Sequence, residues 1–278
     1  MKRSLRLLAV IFMFLAASAV PEAGAKPLKI VAGTEMIADV VRDLTGGNAE
    51  ILSLVPAASC PGHHDVRAAD IAFIKNADAI ILHAWQEKQK HIADAIATAG
   101  PATEPQYVGP TPSWLVPANQ MDGSGAIYGV LNKIPGRDFK TITMQYNGRL
   151  MRIVKISGQY TQKFAPYKDT PVMVSAMQAD FAESLGLKVI ARYGRAEDLA
   201  PADLIALVKQ GKEAGVQVVV DNLQSGAEAG LPLSGELGAA HVVFSNFPMF
   251  TPDVPTYEAL YAYNCDLLLN ALEKGAKR

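Results

Sequence analysis

Short apolar strands alternate with helical segments along most of this chain, and one much longer helical run splits the alternation into two halves. The first half reads as strand Lys29–Gly33, helix Glu35–Leu44, strand Glu50–Val55, helix Ala68–Lys75, strand Ala79–Leu82 and helix Glu87–Ala97. Ile37, Val40, Val41 and Leu44 share one face of the first helix, and Gly46-Gly47 supplies its stop. A Pro-rich stretch from Pro101 to Pro117 interrupts the pattern, and Gly125–Asn132 reads as a further short helix. The second half reads as strand Val172–Ser175, helix Ala179–Leu185, strand Lys188–Arg192, helix Pro201–Ala214, strand Val216–Val220, helix Leu231–Leu237, strand His241–Phe244 and closing helix Thr256–Leu272. Such alternation with short connections predicts parallel βαβ units.

The dividing run extends from Asp138 to Ala165, with apolar residues at Phe139, Ile142, Tyr146, Leu150, Ile153, Tyr160 and Phe164. Asp138 is a helix N-cap by type and Pro166 a stop. The helix would be about 42 Å long. Gly148 and Gly158 each cost it roughly 1 kcal/mol relative to alanine, so packing along its face has to hold it. The predicted fold is therefore α/β: two Rossmann-like lobes with mainly parallel sheets, joined by one long backbone helix, with a ligand cleft between the lobes. The expected division is an N-terminal lobe over 26–136, a linking helix over 137–166 and a C-terminal lobe over 167–278. The two lobes share an order of elements without a residue-level repeat.

Before the first strand, Lys2, Arg3 and Arg6 precede an apolar run from Leu7 to Val20 and then small residues, Ala17-Ser18-Ala19 and Ala23-Gly24-Ala25. The run would span about 21 Å as a helix, short of the ~30 Å hydrocarbon core. Basic, apolar, small is the order of a secretory signal peptide, so residues 1–25 are expected to direct export to the periplasm. Their removal would leave 23 basic and 26 acidic side chains. A mildly acidic chain without a basic patch lacks the electrostatic footprint of a nucleic-acid binder. No second apolar run reaches membrane length. The two cysteines, Cys60 and Cys265, enter a compartment that permits disulfides, but nothing in the sequence brings them together.

In parallel α/β sheets ligands bind beyond the carboxyl ends of the strands. Those ends carry Thr34-Glu35-Met36, Ser59–Asp65, His83-Ala84-Trp85, Ala176-Met177-Gln178, Asp221–Gln224 and Ser245-Asn246-Phe247. The densest chemistry is Cys60–Asp65, with a thiol, the imidazoles of His63 and His64 and a carboxylate within six residues. Cys and His spaced by three across a Pro-Gly turn can reach one ion, and that donor set suits zinc or another borderline metal better than magnesium or calcium. Glu35 reads equally as a ligand and as a favourable charge on the first turn of its helix. Asp221 follows an apolar strand, where a carboxylate has to find a partner. His83, His91 and His241 read as structural, Met177 as packing, and Asn246 as either a ligand contact or a loop brace. The Rossmann dinucleotide fingerprint, the P-loop and the nucleophile elbow are absent from the sequence.

With these residues in view, the chain resembles the TroA-like zinc and manganese solute-binding proteins of ABC transporters. The likeness runs through IVAGTEMIADVVRDLTGGNAEILSLVP (30–56), RAADIAFIKNADAIIL (67–82), SWLVP (113–117), the linking helix, and ADFAESLGLKVI and VVVDNLQS in the second lobe. The resemblance implies two α/β lobes bridged by a rigid helix, a divalent metal between them and delivery of that metal to a membrane permease. It also implies four metal-ligand positions, which fall here on Gly62, Pro112, Ala176 and Asn246; a one-residue loop shift would place His63 in the first. The expected site is therefore a different one, built from Cys60, His63, His64, Glu35, Gln178 and Asp221. The expected function is a monomeric periplasmic component, not an enzyme, that captures a divalent transition metal, zinc foremost, and passes it to an ABC permease at the inner membrane. Two alternatives are the same fold holding a chelated metal or a small organic ligand, and a Cys–His hydrolase with Cys60 as nucleophile.

Overall fold

The computed structural model describes residues 26–109, 113–136 and 138–275. The expected signal peptide and Pro112 lie outside them. The first lobe is built on β1 (Leu28–Ala32), β2 (Ala49–Ser53), β3 (Ala79–His83) and β4 (Pro105–Val108), all parallel, in the order β2-β1-β3-β4. The second is built on β5 (Pro171–Ser175), β6 (Lys188–Tyr193), β7 (Val218–Asn222) and β8 (Ala240–Phe244), again parallel, in the order β6-β5-β7-β8. The two lobes thus repeat one topology. Ile30 pairs with Ile51 and Ala79, and Val172 with Val189 and Val218, so β1 and β5 are paired along both edges, and apolar clusters cover both faces of each sheet. Their uninterrupted apolar runs are what two-sided burial requires.

Helices α1 (Glu35–Leu44), α2 (Ile71–Lys75), α3 (Lys90–Ala99) and α4 (Pro117–Leu131) belong to the first lobe. The linking helix α5 (Phe139–Phe164) is followed by α6 (Ala179–Ser184), α7 (Pro201–Ala214), α8 (Leu231–Leu237) and α9 (Tyr257–Gly275). Two elements of the first lobe depart from the sequence reading, and in the second β7 lies two residues later than the predicted strand Val216–Val220. The Pro-rich stretch contains β4, an edge strand whose first residue is Pro105, a position where a missing N–H costs no ladder bond. Helix α4 begins at Pro117 rather than Gly125 because Pro fits the first helical turn. Its Gly123 is needed for packing: a Cβ there would lie 2.5 Å from the Trp114 ring.

Helix α5, about 39 Å long, has the expected cap. The Asp138 carboxylate accepts from the backbone N–H groups of Lys140 (3.0 Å) and Thr141 (3.2 Å). One apolar core runs from the first sheet through Ile142, Ile153, Tyr160 and Phe164 of α5 to α9 and the second sheet. Smaller clusters cover the other face of each sheet. Charge also fastens α5. Arg149, 1% exposed, donates to Asp39 (2.8 Å) and Asp43 (3.0 Å) of α1 and to the Ser124 hydroxyl of α4 (3.1 Å). Asp39 also accepts from the Tyr257 N–H at the start of α9 (3.3 Å). Arg152 pairs with Asp43 and, at 2.8 Å, with Glu258 of α9. Burial pushes the Asp39 carboxyl above its ordinary range, and the Arg149 guanidinium pulls it back only in part. Among the described residues no helix is long and apolar enough to cross a membrane.

Candidate ligand site

The carboxyl ends of the two sheets face a shared cavity of about 520 Å³. From the first lobe Met36, Cys60, His83, Trp85, Trp114 and Leu115 line it; from the second, Met177, Arg195, Asn222, Gln224, Asn246 and Phe247. The first-lobe wall is largely aromatic and aliphatic, and the second is rich in carboxamides.

His83 ends β3 and is 3% exposed. Its Nε2 lies 2.8 Å from Thr34 Oγ1, while Nδ1 is buried without a partner. The ring stacks on Trp85 (centroids 5.2 Å apart) and meets Trp114 edge-on at 4.6 Å. Desolvation lowers its pKa to about 3, so the imidazole is neutral at physiological pH.

On the opposite wall the carboxamides hold one another. Gln178 Nε2 donates to Asn222 Oδ1 (3.1 Å) and Asn246 Oδ1 (2.8 Å), and its own Oε1 is buried without a partner. Gln224 Nε2 donates to Ser245 Oγ (2.9 Å) and crosses to the first lobe at the Ala57 carbonyl (2.7 Å). Gln224 Oε1 accepts from the Asn246 N–H at 3.0 Å. A second link between lobes comes from Arg195, just past β6. Its Nη2 donates to Cys60 Sγ at 3.0 Å, and its Nη1 lies 3.2 and 3.3 Å from the ring nitrogens of His63.

The six residues expected to form a metal site are not gathered at one point. Cys60 lines the cavity, and His63 is exposed just outside it; the cation between them is the Arg195 guanidinium. His64 is half-buried and does not line the cavity. Glu35 opens α1 and faces Arg42 Nη2 at 3.5 Å. Gln178 lies behind the cavity, bracing two residues that do line it. Asp221 is inside β7 rather than beyond it. Its fully buried carboxylate accepts from Tyr193 Oη (2.9 Å) and the Gly230 N–H (2.9 Å) and lies 2.6 Å from His241 Nε2. Its neighbour Asn222, one pleat on and facing the other way, reaches the cavity.

Among the described residues no group of three or more His, Cys, Asp or Glu side chains is placed to hold a metal ion. Of the positions that correspond by resemblance to the family's ligands, Gly62 and Asn246 line the cavity without being metal donors of the usual kind, and Ala176 has none to offer. The residues present do not fit a bare ion held only by protein. The hydrogen bond to Cys60 comes from Arg195, and among the described residues no hydrogen bond joins a cysteine to a histidine, which leaves the hydrolase reading without its base. Both cysteines are free. Arg195 was not among the strand-end residues singled out in the sequence; its signal was its place directly after β6, behind Gly194.

Two parallel α/β lobes clamped to one long helix, with a cavity at the facing strand ends, define a two-lobed ligand-binding protein. The chain belongs to the ZnuA family, described as the periplasmic component A of the zinc-uptake complex, whose family model matches residues 30–271. Solved structures agree on the fold. A crystal structure of ZnuA superposes with a TM-score of 0.76 at 15% identity, covering 88% of this chain and 99% of that one. The periplasmic zinc-binding protein TroA from Treponema pallidum gives 0.74 at 15% identity, covering 89% and 99%. A manganese-bound periplasmic metal-binding protein from Candidatus Liberibacter asiaticus gives 0.74 at 15% identity, covering 87% and 98%. No curated protein matches the sequence significantly.

Proposed function

We propose that this chain is the solute-binding component of an ABC importer. After export by its N-terminal signal it captures a transition metal, zinc foremost, in the interlobe cleft and presents it to a permease at the inner membrane. The metal arrives as a complex that brings most of its own donor atoms. The observation that carries this reading is the mismatch at the cleft: a cavity of about 520 Å³ with aromatic and carboxamide walls and a guanidinium, where a bare ion needs three or four clustered donors. A cavity of that size suits a small organic molecule. Membership of a zinc-uptake family supports a metal as the cargo.

The test is to purify the protein from the periplasm without chelators, then measure bound metal by elemental analysis and bound organic ligand by native mass spectrometry. Metal and organic ligand in equal amounts are expected. Metal retained without an organic partner would restore the bare-ion reading, and an organic ligand without metal would make the cargo purely organic.

A further inference from the structure

Hydrogen bonds join the two lobes in two places. In the core shared with α5 and α9, Tyr257 donates its N–H to Asp39 (3.3 Å) and its hydroxyl to the Leu115 carbonyl (2.9 Å). At the cavity the ties fall on a single loop of the first lobe. Gln224 Nε2 reaches the Ala57 carbonyl (2.7 Å), Arg195 Nη2 the Cys60 thiol (3.0 Å) and Arg195 Nη1 the His63 ring (3.2 Å). That loop forms no helix or strand from Leu54 to Arg67, whereas its counterpart after β6 has only Gly194 and Arg195 before the helical turn that starts at Ala196. Connections of more than about 12–15 residues are uncommon in compact domains and serve mostly as lids or binding loops. Cys60, Pro61 and Gly62 of the loop line the cavity.

We propose that residues 56–66 form a lid over the cleft, latched to the second lobe by Arg195 and Gln224, and that a guest passes when this loop lifts while the lobes stay fixed. Leu54 and Val55 are buried, so the loop is rooted in the first lobe where it begins. Beyond them Ala58, Gly62, His63 and Asp65 are exposed and add nothing to the core. The latch is releasable because a thiol is a weak acceptor for a guanidinium, and the carboxylate that Arg195 also faces, Glu197, belongs to its own lobe and lies 3.8 Å away. Within the first lobe Gln89 Nε2 holds the Pro61 carbonyl at 3.1 Å, one neutral bond that also has to break. The lobes, by contrast, share one apolar core, and Arg149 of the linking helix is paired inside it with Asp39, so parting them would expose apolar surface and disturb a buried ion pair. A loop that lifts alone leaves that core intact. The lid acts on any guest the cavity admits, so the complex-cargo reading stands or falls separately.

Cys60 and both tryptophans of the chain, Trp85 and Trp114, line the cavity and report on the lid. Three readouts are compared in the wild type, Arg195→Ala and Gln224→Met, each checked for folding by circular dichroism: reaction of Cys60 with a disulfide reagent, acrylamide quenching of Trp114 in a Trp85→Phe background, and hydrogen exchange at the Tyr257 amide. Arg195→Ala should label about tenfold faster and Gln224→Met about fivefold faster. Quenching of Trp114 should rise in both, and exchange at Tyr257 should not change. Loss of a neighbouring cation makes a thiol less reactive, so an Arg195 that acted only through its charge would slow the labelling instead. Labelling that is unchanged or slower in either variant overturns the latch. Tyr257 exchange that quickens in step with labelling overturns the lid, because the lobes then part as bodies. Faster labelling without a rise in quenching overturns the route, since the loop then moves without admitting a molecule. Should Arg195→Ala fail to fold, Gln224→Met, whose side chain makes no hydrogen bond to Cys60, carries the same comparison.

Discussion

Removing the charge of Arg149 tests how the linking helix is fastened. The guanidinium is 1% exposed and lies between Asp39, itself 3% exposed, and Asp43. Arg149→Met keeps the length of the side chain and leaves Asp39 with only the Tyr257 N–H, while Asp43 retains Arg152. A buried carboxylate without a counter-charge takes up a proton rather than remain ionised. For a group of ordinary value 3.8, protonation at pH 7 costs at most about 4.4 kcal/mol, at about 1.4 kcal/mol per pH unit, and the variant's loss falls below that ceiling because the native carboxyl is already raised. This agrees with the ~3–5 kcal/mol found on breaking buried pairs. Because the expense is protonation, it should shrink by about 1.4 kcal/mol for each pH unit between 7 and 5. Asp39→Asn in the same chain should recover much of the loss at pH 7, since it removes the charge that Arg149 served. The assay is urea unfolding followed by circular dichroism at several pH values for the wild type, both single variants and the double. A cost below about 1 kcal/mol at pH 7, or one that does not change with pH, would refute the reading that Arg149 keeps a buried Asp39 ionised.

His83 predicts an acid dependence. Its folded pKa of about 3 lies below the unfolded value near 6.5, so its contribution is intact above 6.5 and is lost as pH falls toward 3. Between pH 6 and 4.5 the wild type should lose about 2 kcal/mol more stability than His83→Asn in matched denaturant titrations; equal slopes would contradict its neutral burial. The two thiols should also separate. Cys60 is half-buried at the cavity, whereas Cys265 is fully buried in α9 and desolvation pushes its thiol up. A disulfide reagent should therefore label one thiol in the native protein and two after denaturation; two rapid labels on native protein would contradict the packing of α9.

The two-lobed fold was legible because parallel sheets and their helices leave strong periodic signals, and Asp138 and Pro166 bracket the linking helix. The site was less legible because it depends on which way single residues face. The predicted strand Val216–Val220 ends two residues before the actual β7, and that shift moves Asp221 from the cleft into the core and brings Asn222 to the cavity. His83 was read as a satisfied structural residue, and only three-dimensional packing shows that one of its nitrogens is paired and the other is not. The Cys60–Asp65 loop looked like a metal centre because its donors are close in sequence. The cation it meets is Arg195, 135 residues away along the chain, and no local pattern announces that pairing.

The two sheets repeat one strand order, so each strand end of one lobe has a topological counterpart in the other. His83 ends β3 as Asn222 ends β7, and Trp114 follows β4 where Asn246 follows β8; the loops beyond β2 and β6 meet in the Cys60–Arg195 contact. The cleft therefore consists of two matched half-sites of unequal chemistry, the first carrying both tryptophans and His83 and the second most of the carboxamides. Under the proposed function, symmetry of architecture with asymmetry of side chains would give the cargo a single orientation, and with it a single face to present at the mouth of the cleft.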